Sequence, residues 1–324
     1  LLRRLILASL EIARMGYEEA TDPRETVNNA EQLLFSVSQN VLKGDFTRIA
    51  DTARETFQKI QDRYEANKFV TGISTGLTRL DEYTNGLQKS DLIIIAGRPS
   101  TGKTSLAMNI ALHAAVKEQA PVAIFSLEMA KEQLAEGMLS MLARVDGRKM
   151  RVGHLISQDE WTRIGVATGQ LYDAPIFVDD TPGTTALDIR AKARRLAARY
   201  SVGMVIVDYL QLVDYQGRSE NRNQELSFIS RAFKQMAREL RIPVVTLSQL
   251  SRTVERENRR PILSDLRDSG AIEAEADLVA FIHHPEEQRR RRQRSEDFST
   301  PGEDDTVCPV QIILAKHRNG PTGD

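Results

Sequence analysis

The chain has 324 residues, 41% of them hydrophobic and 27% charged, and its formal net charge is −1. That length suggests roughly two domains, each with a buried core, and the near-zero charge excludes a globally basic surface, so a nucleic acid would have to be met by local basic loops. The single cysteine, Cys308, excludes an intramolecular disulfide and a cysteine-based metal cluster, and it fits a reducing compartment.

Residues 1–43 read as helical. Leu2, Leu5, Ile6, Leu10, Ile12 and Ala13 make one apolar stripe, Pro23 breaks it, and 25–38 resumes with Val27, Ala30, Leu33 and Leu34. The opening "LLRRLILASL" could pass for a signal peptide, but the helical period runs on through "EIARMGYEEA" without a small-residue cleavage site. The chain is therefore expected to begin inside a longer protein. After Gly44, residues 45–68 predict a third helix with Ile49, Ala53, Phe57, Ile60 and Tyr64 on one face. A lone helix of this length is marginal in water, so the stripe needs a partner, either its own domain or a neighbouring subunit.

From residue 70 the pattern becomes an alternation of strands and helices. Strands are predicted at "DLIIIAG" (91–97), "PVAIFS" (121–126), "APIFVDD" (174–180), "VGMVIVD" (202–208), "PVVTLS" (243–248), "LVAFIHH" (278–284) and "VQIILAKH" (310–317). Helices are predicted over 103–117 and about 130–146, 185–200 and 222–240. Continuous apolar strands interleaved with helices indicate an α/β fold with a mostly parallel sheet covered on both faces. No helix separates the last two strands, so they are expected to pair antiparallel. Every apolar run is too short to span a bilayer. The basic-then-acidic stretch 286–305 reads as a solvated loop, with a nucleic-acid contact by Arg289 to Arg292 as the second reading.

The chemistry starts at "AGRPSTGKTS" (96–105). Gly97-x-x-x-x-Gly102-Lys103-Thr104 matches the P-loop pattern in full, with a strand before it and a helix after it. Gly97, Ser100, Thr101, Gly102, Lys103, Thr104 and Ser105 would cradle the phosphates of ATP. Backbone N–H groups and the helix N-terminus face the anion, Lys103 reaches the β- and γ-phosphates, and the Thr104 hydroxyl ligates Mg²⁺. Asp208 ends the apolar run "MVIVD" at a strand C-terminus, where ligands sit in open α/β sheets, and is the candidate carboxylate for the same metal. Glu128 in "FSLEM" is either the group that activates water or a helix-start acid complementing the dipole. Gln249 in "LSQLSR" is either a sensor of the γ-phosphate or an ordinary strand-end polar residue. Five arginines lie between 252 and 267 in the long stretch 251–277, and "DSG" offers exposed amides suited to phosphate contact without base readout. "YQGRSENRNQ" (215–224) is a second polar loop at the same sheet edge. Lys316 and Arg318 in "AKHRNGP" lie at the far end of the last strand. They are badly placed for their own P-loop and could serve a neighbour's γ-phosphate as an arginine finger.

Taken together, "TGISTGLTRLDEYTNGLQKSDLIIIAGRPSTGKTSLAMNIA" (71–111), "FSLEM" (125–129), "VIVDYLQLV" (205–213), "SQLSR" (248–252), "LSDLRDSGAIEAEAD" (263–277) and "AKHRNGP" (315–321) resemble the bacterial DnaB-type replicative helicases. The resemblance covers residue 70 to the end, and over 1–69 it rests on helical pattern and position. It implies a RecA-like P-loop ATPase motor over 70–324, a linker helix over 45–69 that packs on a neighbouring motor, and the helical end of an N-terminal domain over 1–44. It also implies roles. Glu128 matches the catalytic glutamate and Asp208 the Walker B aspartate. Gln249 matches the sensor that couples γ-phosphate to DNA loops, and Lys316 and Arg318 match the pair that enters the adjacent subunit's site. Arg267, Asp268 and Gly270 match the loop that holds the single-stranded DNA backbone. The family commonly has Glu where this chain has Asp268, a change that leaves backbone amide contacts untouched.

The implied protein is a cytoplasmic homohexamer that uses ATP and Mg²⁺, moves 5′ to 3′ on single-stranded DNA, and meets a primase and a helicase loader. A RecA-like recombinase and a regulatory RecA-like ATPase share the P-loop. The amphipathic linker and the "SDLRDSG" loop argue against the recombinase, and the regulatory ATPase would have the P-loop without a phosphate-gripping loop.

Overall fold

The computed structural model describes residues 2–17, 26–27, 29–30, 33–34, 48–66, 70–153, 155–215, 221–251, 259–266, 270–285 and 310–323. The chain divides into two compact units, Leu1–Lys68 and Phe69–Asp324. In the first, α1 (Leu2–Tyr17) and α2 (Ile49–Ala66) are the long described helices. Both follow the apolar period of their sequences. Ile49, Phe57, Ile60 and Tyr64 of α2 are exposed.

The second unit opens with a short helix, α3 (Thr78–Thr84). Its buried Asp81 accepts bonds from the Thr75 N–H at 2.9 Å, the Thr75 hydroxyl at 2.8 Å and the Ser74 hydroxyl at 2.6 Å. One carboxylate thereby ties the "ISTGLTRLD" segment into a turn. The sheet follows: β1 (Leu92–Gly97), β2 (Val122–Ser126), β3 (Ile176–Asp179), β4 (Met204–Asp208), β5 (Val244–Gln249), β6 (Leu278–His283) and β7 (Gln311–His317). Its seven strands stand in the order β3-β2-β4-β5-β1-β6-β7. The first six run parallel, and β7 pairs antiparallel with β6 as the missing crossover helix requires. All the parallel C-termini therefore lie along one edge of the sheet.

Successive strand residues face opposite sides, and both sides are covered. Leu92, Ile94 and Ala96 of β1 pack with Val205 and Val207 against Ile189 of α8 (Ala186–Tyr200) and Phe233 and Met236 of α9 (Arg222–Leu240). Ile93 and Ile95 pack with Ile206, Val245 and Leu247 against α4 (Lys103–Leu112) and against Leu134 and Met138 of α5 (Lys131–Ala143). This is why β1, β2, β4, β5 and β6 read as apolar runs without alternation.

Several elements differ from the expectation. The predicted helix 103–117 is α-helical to Leu112 and ends in a single π turn, His113–Lys117. The apolar period did not predict α3, nor α6 (Gly147–Val152) and α7 (Gln158–Asp173). α7 is set by a capping box: the Ser157 hydroxyl accepts from the Glu160 N–H, and the Glu160 carboxylate accepts from the Ser157 N–H. Those bonds, with Lys149 beside them, hold the Glu160 carboxyl down at about 2. Within the long stretch 251–277, α10 (Gly270–Glu275) is a short helix that leads straight into β6. Among the described residues, no helix is long and apolar enough to cross a membrane.

Candidate functional site

β1 ends at Gly97, and the chain turns through the P-loop into α4. The turn demands glycine at two points. A Cβ on Gly97 would lie 2.6 Å from the Thr101 hydroxyl, and Gly102 caps α4 with φ +86°. Lys103 then opens the helix, with its ammonium 2.8 Å from the Arg98 carbonyl. One turn of chemistry follows from one turn of backbone. The Thr104 hydroxyl donates to Asp208 Oδ2 at 2.7 Å across the sheet, because Asp208 is the last residue of β4 in the same C-terminal edge.

Strand register brings in the next residue. Ser126 pairs with Asp208, and the Leu127 N–H donates to the Asp208 carbonyl at 2.7 Å. The Ser126 hydroxyl donates to the Met129 carbonyl at 2.6 Å and closes a tight turn. Glu128 sits on that turn, two residues before the Ala130 N-cap of α5. It is therefore not a first-turn helix acid, and it lines the same cleft as Lys103 and Thr104. Gln249, the last residue of β5, pairs with Gly97 at the end of β1, and the next N–H, of Leu250, donates to the Gly97 carbonyl at 3.2 Å. The resulting cleft of about 550 Å³ is lined by Pro99, Ser100, Gly102 to Ser105, Glu128, Met129, Tyr209 and Gln249.

The electrostatics follow from burial. Burial pulls the Lys103 ammonium below its ordinary value, while Asp208 and Glu128 act the other way. Burial pushes the Asp208 carboxyl up, opposed by the Thr104 hydrogen bond and Lys103, while Glu128 adds to the rise. Burial, Glu128 and Asp208 together push the Tyr209 phenol up. A desolvated ammonium at the start of α4 suits a polyphosphate. Thr104 and Asp208 place two hard oxygen donors within 2.7 Å of each other, a donor set that fits a small divalent cation such as Mg²⁺.

Sequence reading missed a residue behind this cleft. Gln211 lies in the 3₁₀ turn after β4. Its amide donates to the Ser248 hydroxyl at 3.0 Å and to the Gln249 carbonyl at 3.3 Å, and its Oε1 accepts the Gln249 N–H at 3.3 Å. The Gln211 carbonyl in turn accepts from Arg222, the first residue of α9, at 2.6 Å. The "DYLQL" run gave a signal, but only the fold shows what Gln211 clamps.

Lys316 and Arg318 stand elsewhere. β7 runs antiparallel, so Lys316 pairs with Val279 and His317 with Leu278, at the start of β6. That is the N-terminal edge of the parallel strands, opposite the P-loop. Arg267 and Asp268 lie outside the described residues, as does the charged stretch 286–305. Gly270 is the first residue of α10, and a Cβ there would meet open space.

The model of the DnaB-like helicase C terminal domain matches residues 72–324. The chain belongs to the DnaB-like helicase family. It is 44% identical over 99% of its length to a protein named replicative DNA helicase DnaB from Geobacillus stearothermophilus, of which it covers 68%. It is 43% identical over its full length to one named replicative DNA helicase DnaC from Bacillus subtilis, of which it covers 69%. Among solved structures, it is similar to a DnaB-like replicative helicase described together with its interactions with primase, with a TM-score of 0.80, 28% identity, and coverage of 99% of this chain and 72% of that one. As a member of this family the chain has the function of a replicative DNA helicase, an ATP-dependent enzyme with a RecA-like motor fold. The recombinase and regulatory-ATPase readings are not favoured.

Proposed function

We propose that the chain is the motor of a homohexamer that moves 5′ to 3′ on single-stranded DNA and hydrolyses ATP at sites shared between two subunits. The observation that carries this reading is a division of groups between the two edges of one sheet. Lys103, Thr104, Glu128, Asp208 and Gln249 belong to one edge, whereas Lys316 and Arg318 stand at the other. A γ-phosphate in the cleft is beyond the reach of its own Lys316 and Arg318, so these cations serve a neighbour's nucleotide.

In this reading Gly97 and Ser100 to Ser105 hold the phosphates. Thr104 and Asp208 hold Mg²⁺, which supplies charge neutralisation of the phosphates when bound. Glu128 takes the proton of the attacking water. Gln249 senses the γ-phosphate through its amide. Its strand leads directly into the 251–277 segment, where Arg267, Asp268 and Gly270 grip the DNA backbone without reading bases. Binding by such contacts is salt-sensitive. Residues 1–44 form the end of an N-terminal domain, 45–69 the linker helix and 70–324 the motor, in a cytoplasmic protein that engages a primase and a loader.

The test is a mixing experiment. Arg318→Ala is expected to form rings and bind nucleotide yet hardly hydrolyse it, and Lys103→Ala is expected to form rings without binding nucleotide at its own cradle. Mixed rings should regain part of the activity at hybrid interfaces, and single-stranded DNA should stimulate wild-type hydrolysis. A mixture as inactive as its components would remove the shared site, and rings indifferent to single-stranded DNA would remove the helicase motor.

A further inference from the structure

The N-terminal edge of the sheet carries a charge cluster that the nucleotide cleft does not use. At its centre is Asp277, buried between α10 and β6. Its backbone and side chain both grip Leu92, the first residue of β1. The Asp277 N–H donates to the Leu92 carbonyl at 2.9 Å, and Oδ2 accepts the Leu92 N–H at 2.8 Å. Oδ2 also accepts from the Lys234 ammonium of α9. Oδ1 accepts from Arg318 Nη1 at 3.0 Å, and the Asp277 carbonyl accepts the Arg318 N–H at 2.8 Å. Arg318 Nη2 donates to the Ala274 carbonyl at 3.2 Å, and the Lys316 ammonium donates to the Glu273 carbonyl at 2.5 Å.

A buried carboxylate needs a cation, and Lys234, itself largely buried, supplies one. Arg318 is a second cation on the same group, with half of its side chain exposed. An ion pair this open adds little to stability. What the contact does is geometric. An arginine at the end of an edge strand has four rotatable side-chain bonds, and here one nitrogen is tied to a carboxylate that is fixed by the first residue of β1. The other nitrogen is tied to the last turn of α10. The guanidinium is thus held before any partner arrives, which lowers the cost of ordering it at an interface.

We propose that Asp277 is the positioning residue for Arg318, holding its guanidinium on the rigid start of β1 in the orientation in which it meets the nucleotide of the adjacent subunit. This rests on the trans reading of Arg318 above. Asp277 touches no substrate, and its effect is exerted on a neighbour's hydrolysis rather than on its own cradle.

The test uses the full chain in rings. Asp277→Asn keeps the size and the hydrogen bond to Leu92 but removes the charge that orients Arg318. Its rings are expected to bind nucleotide at their own cradles as wild type does and to hydrolyse it about 10–100-fold more slowly, the scale of an ångström-sized misplacement of a positioned group. Mixed with Lys103→Ala subunits, Asp277→Asn should regain activity, because its intact cradle then meets an intact Arg318. A merely structural role for Asp277 would not give that pattern. Full activity in Asp277→Asn rings overturns the proposal, and so does a loss that mixing leaves unrepaired while the Arg318→Ala mixture recovers. If the Arg318→Ala mixture also fails, the trans reading itself has fallen and the proposal falls with it. Should Asp277→Asn not assemble, Asp277→Glu, which keeps the charge but displaces it, takes its place in the same mixing experiment. Slowed hydrolysis that mixing restores then supports the positioning role, and full activity or an unrepaired loss overturns it.

Discussion

The two ends of β1 are built on opposite plans. At Gly97 the strand opens into a cleft where an ammonium and a carboxylate are held out of water with few compensating contacts, and both are shifted toward their neutral forms by burial. At Leu92 the strand is closed by a carboxylate that takes bonds from a backbone N–H, an ammonium and a guanidinium. The six residues of β1 join a desolvated binding edge to a saturated anchoring edge. Buried charges with few partners are kept for function, and buried charges with many partners fix the local order.

Four experiments test the difference between the two edges. The largest effect is expected for Arg318→Ala, which in the trans reading slows hydrolysis by about 10³-fold or more while nucleotide affinity is kept. Steady-state hydrolysis beside equilibrium nucleotide binding measures it, and near-normal turnover would make the anchoring edge purely architectural. Next comes Glu128→Gln, for which loss of a general base predicts a fall of about 10²–10⁴-fold with rings intact. A fall under about threefold, far below the general-base range, would remove Glu128 as the general base.

Gln211→Ala should then cost roughly tenfold in turnover, about the effect of one or two net hydrogen bonds on the Gln249 backbone. Measured with and without single-stranded DNA, it should reduce the stimulation as well as the basal rate, and an unchanged ratio would uncouple Gln211 from the sensor. The smallest effects concern stability and expose the contrast most directly. Lys234→Met leaves Asp277 short of a donor and should destabilise the fold by about 1–3 kcal/mol, whereas Lys103→Met should leave thermal stability equal or slightly raised. Thermal melts of the two variants decide it, and equal losses would erase the distinction between the edges.

A pH titration adds a third reference point. Buried Asp265 is held below its ordinary value of 3.8; burial itself opposes this, and the Arg259 guanidinium and the Ile262 N–H outweigh it. A depressed carboxyl contributes stability that is fully present above the unfolded value and is lost as pH falls through the lower folded value. Arg259→Ala should therefore lower the melting temperature at neutral pH and reduce the further loss on acidification below about pH 4.

Much of this was legible in the sequence because it is local. The strand centres, the antiparallel last pair, and the P-loop follow from apolar runs and from glycines that a turn requires. The helix Gln158–Asp173 was readable too, through Ser157-x-x-Glu160, but its weak apolar stripe hid it. It covers a small side cluster around Ala143, Val145 and Ala167 rather than the main core. Glu128 was ambiguous on pattern, because a carboxylate near a helix start has two uses. Register resolves its position: Leu127 hangs from Asp208, so Glu128 faces the cleft.

Local order along the chain specifies what each segment is: the phosphate turn, the apolar strands, the Asp208 terminus and the membership that their order signals. Those features depend on neighbours a few residues away, and backbone sterics and burial act on them directly. Only the tertiary structure decided which groups share an edge. Gln211 reaches Ser248 and Gln249 across 37 and 38 residues, and Asp277 reaches Leu92 across 185. Such pairings are fixed by strand order and register, which arise from packing of the whole sheet, and no local pattern encodes them.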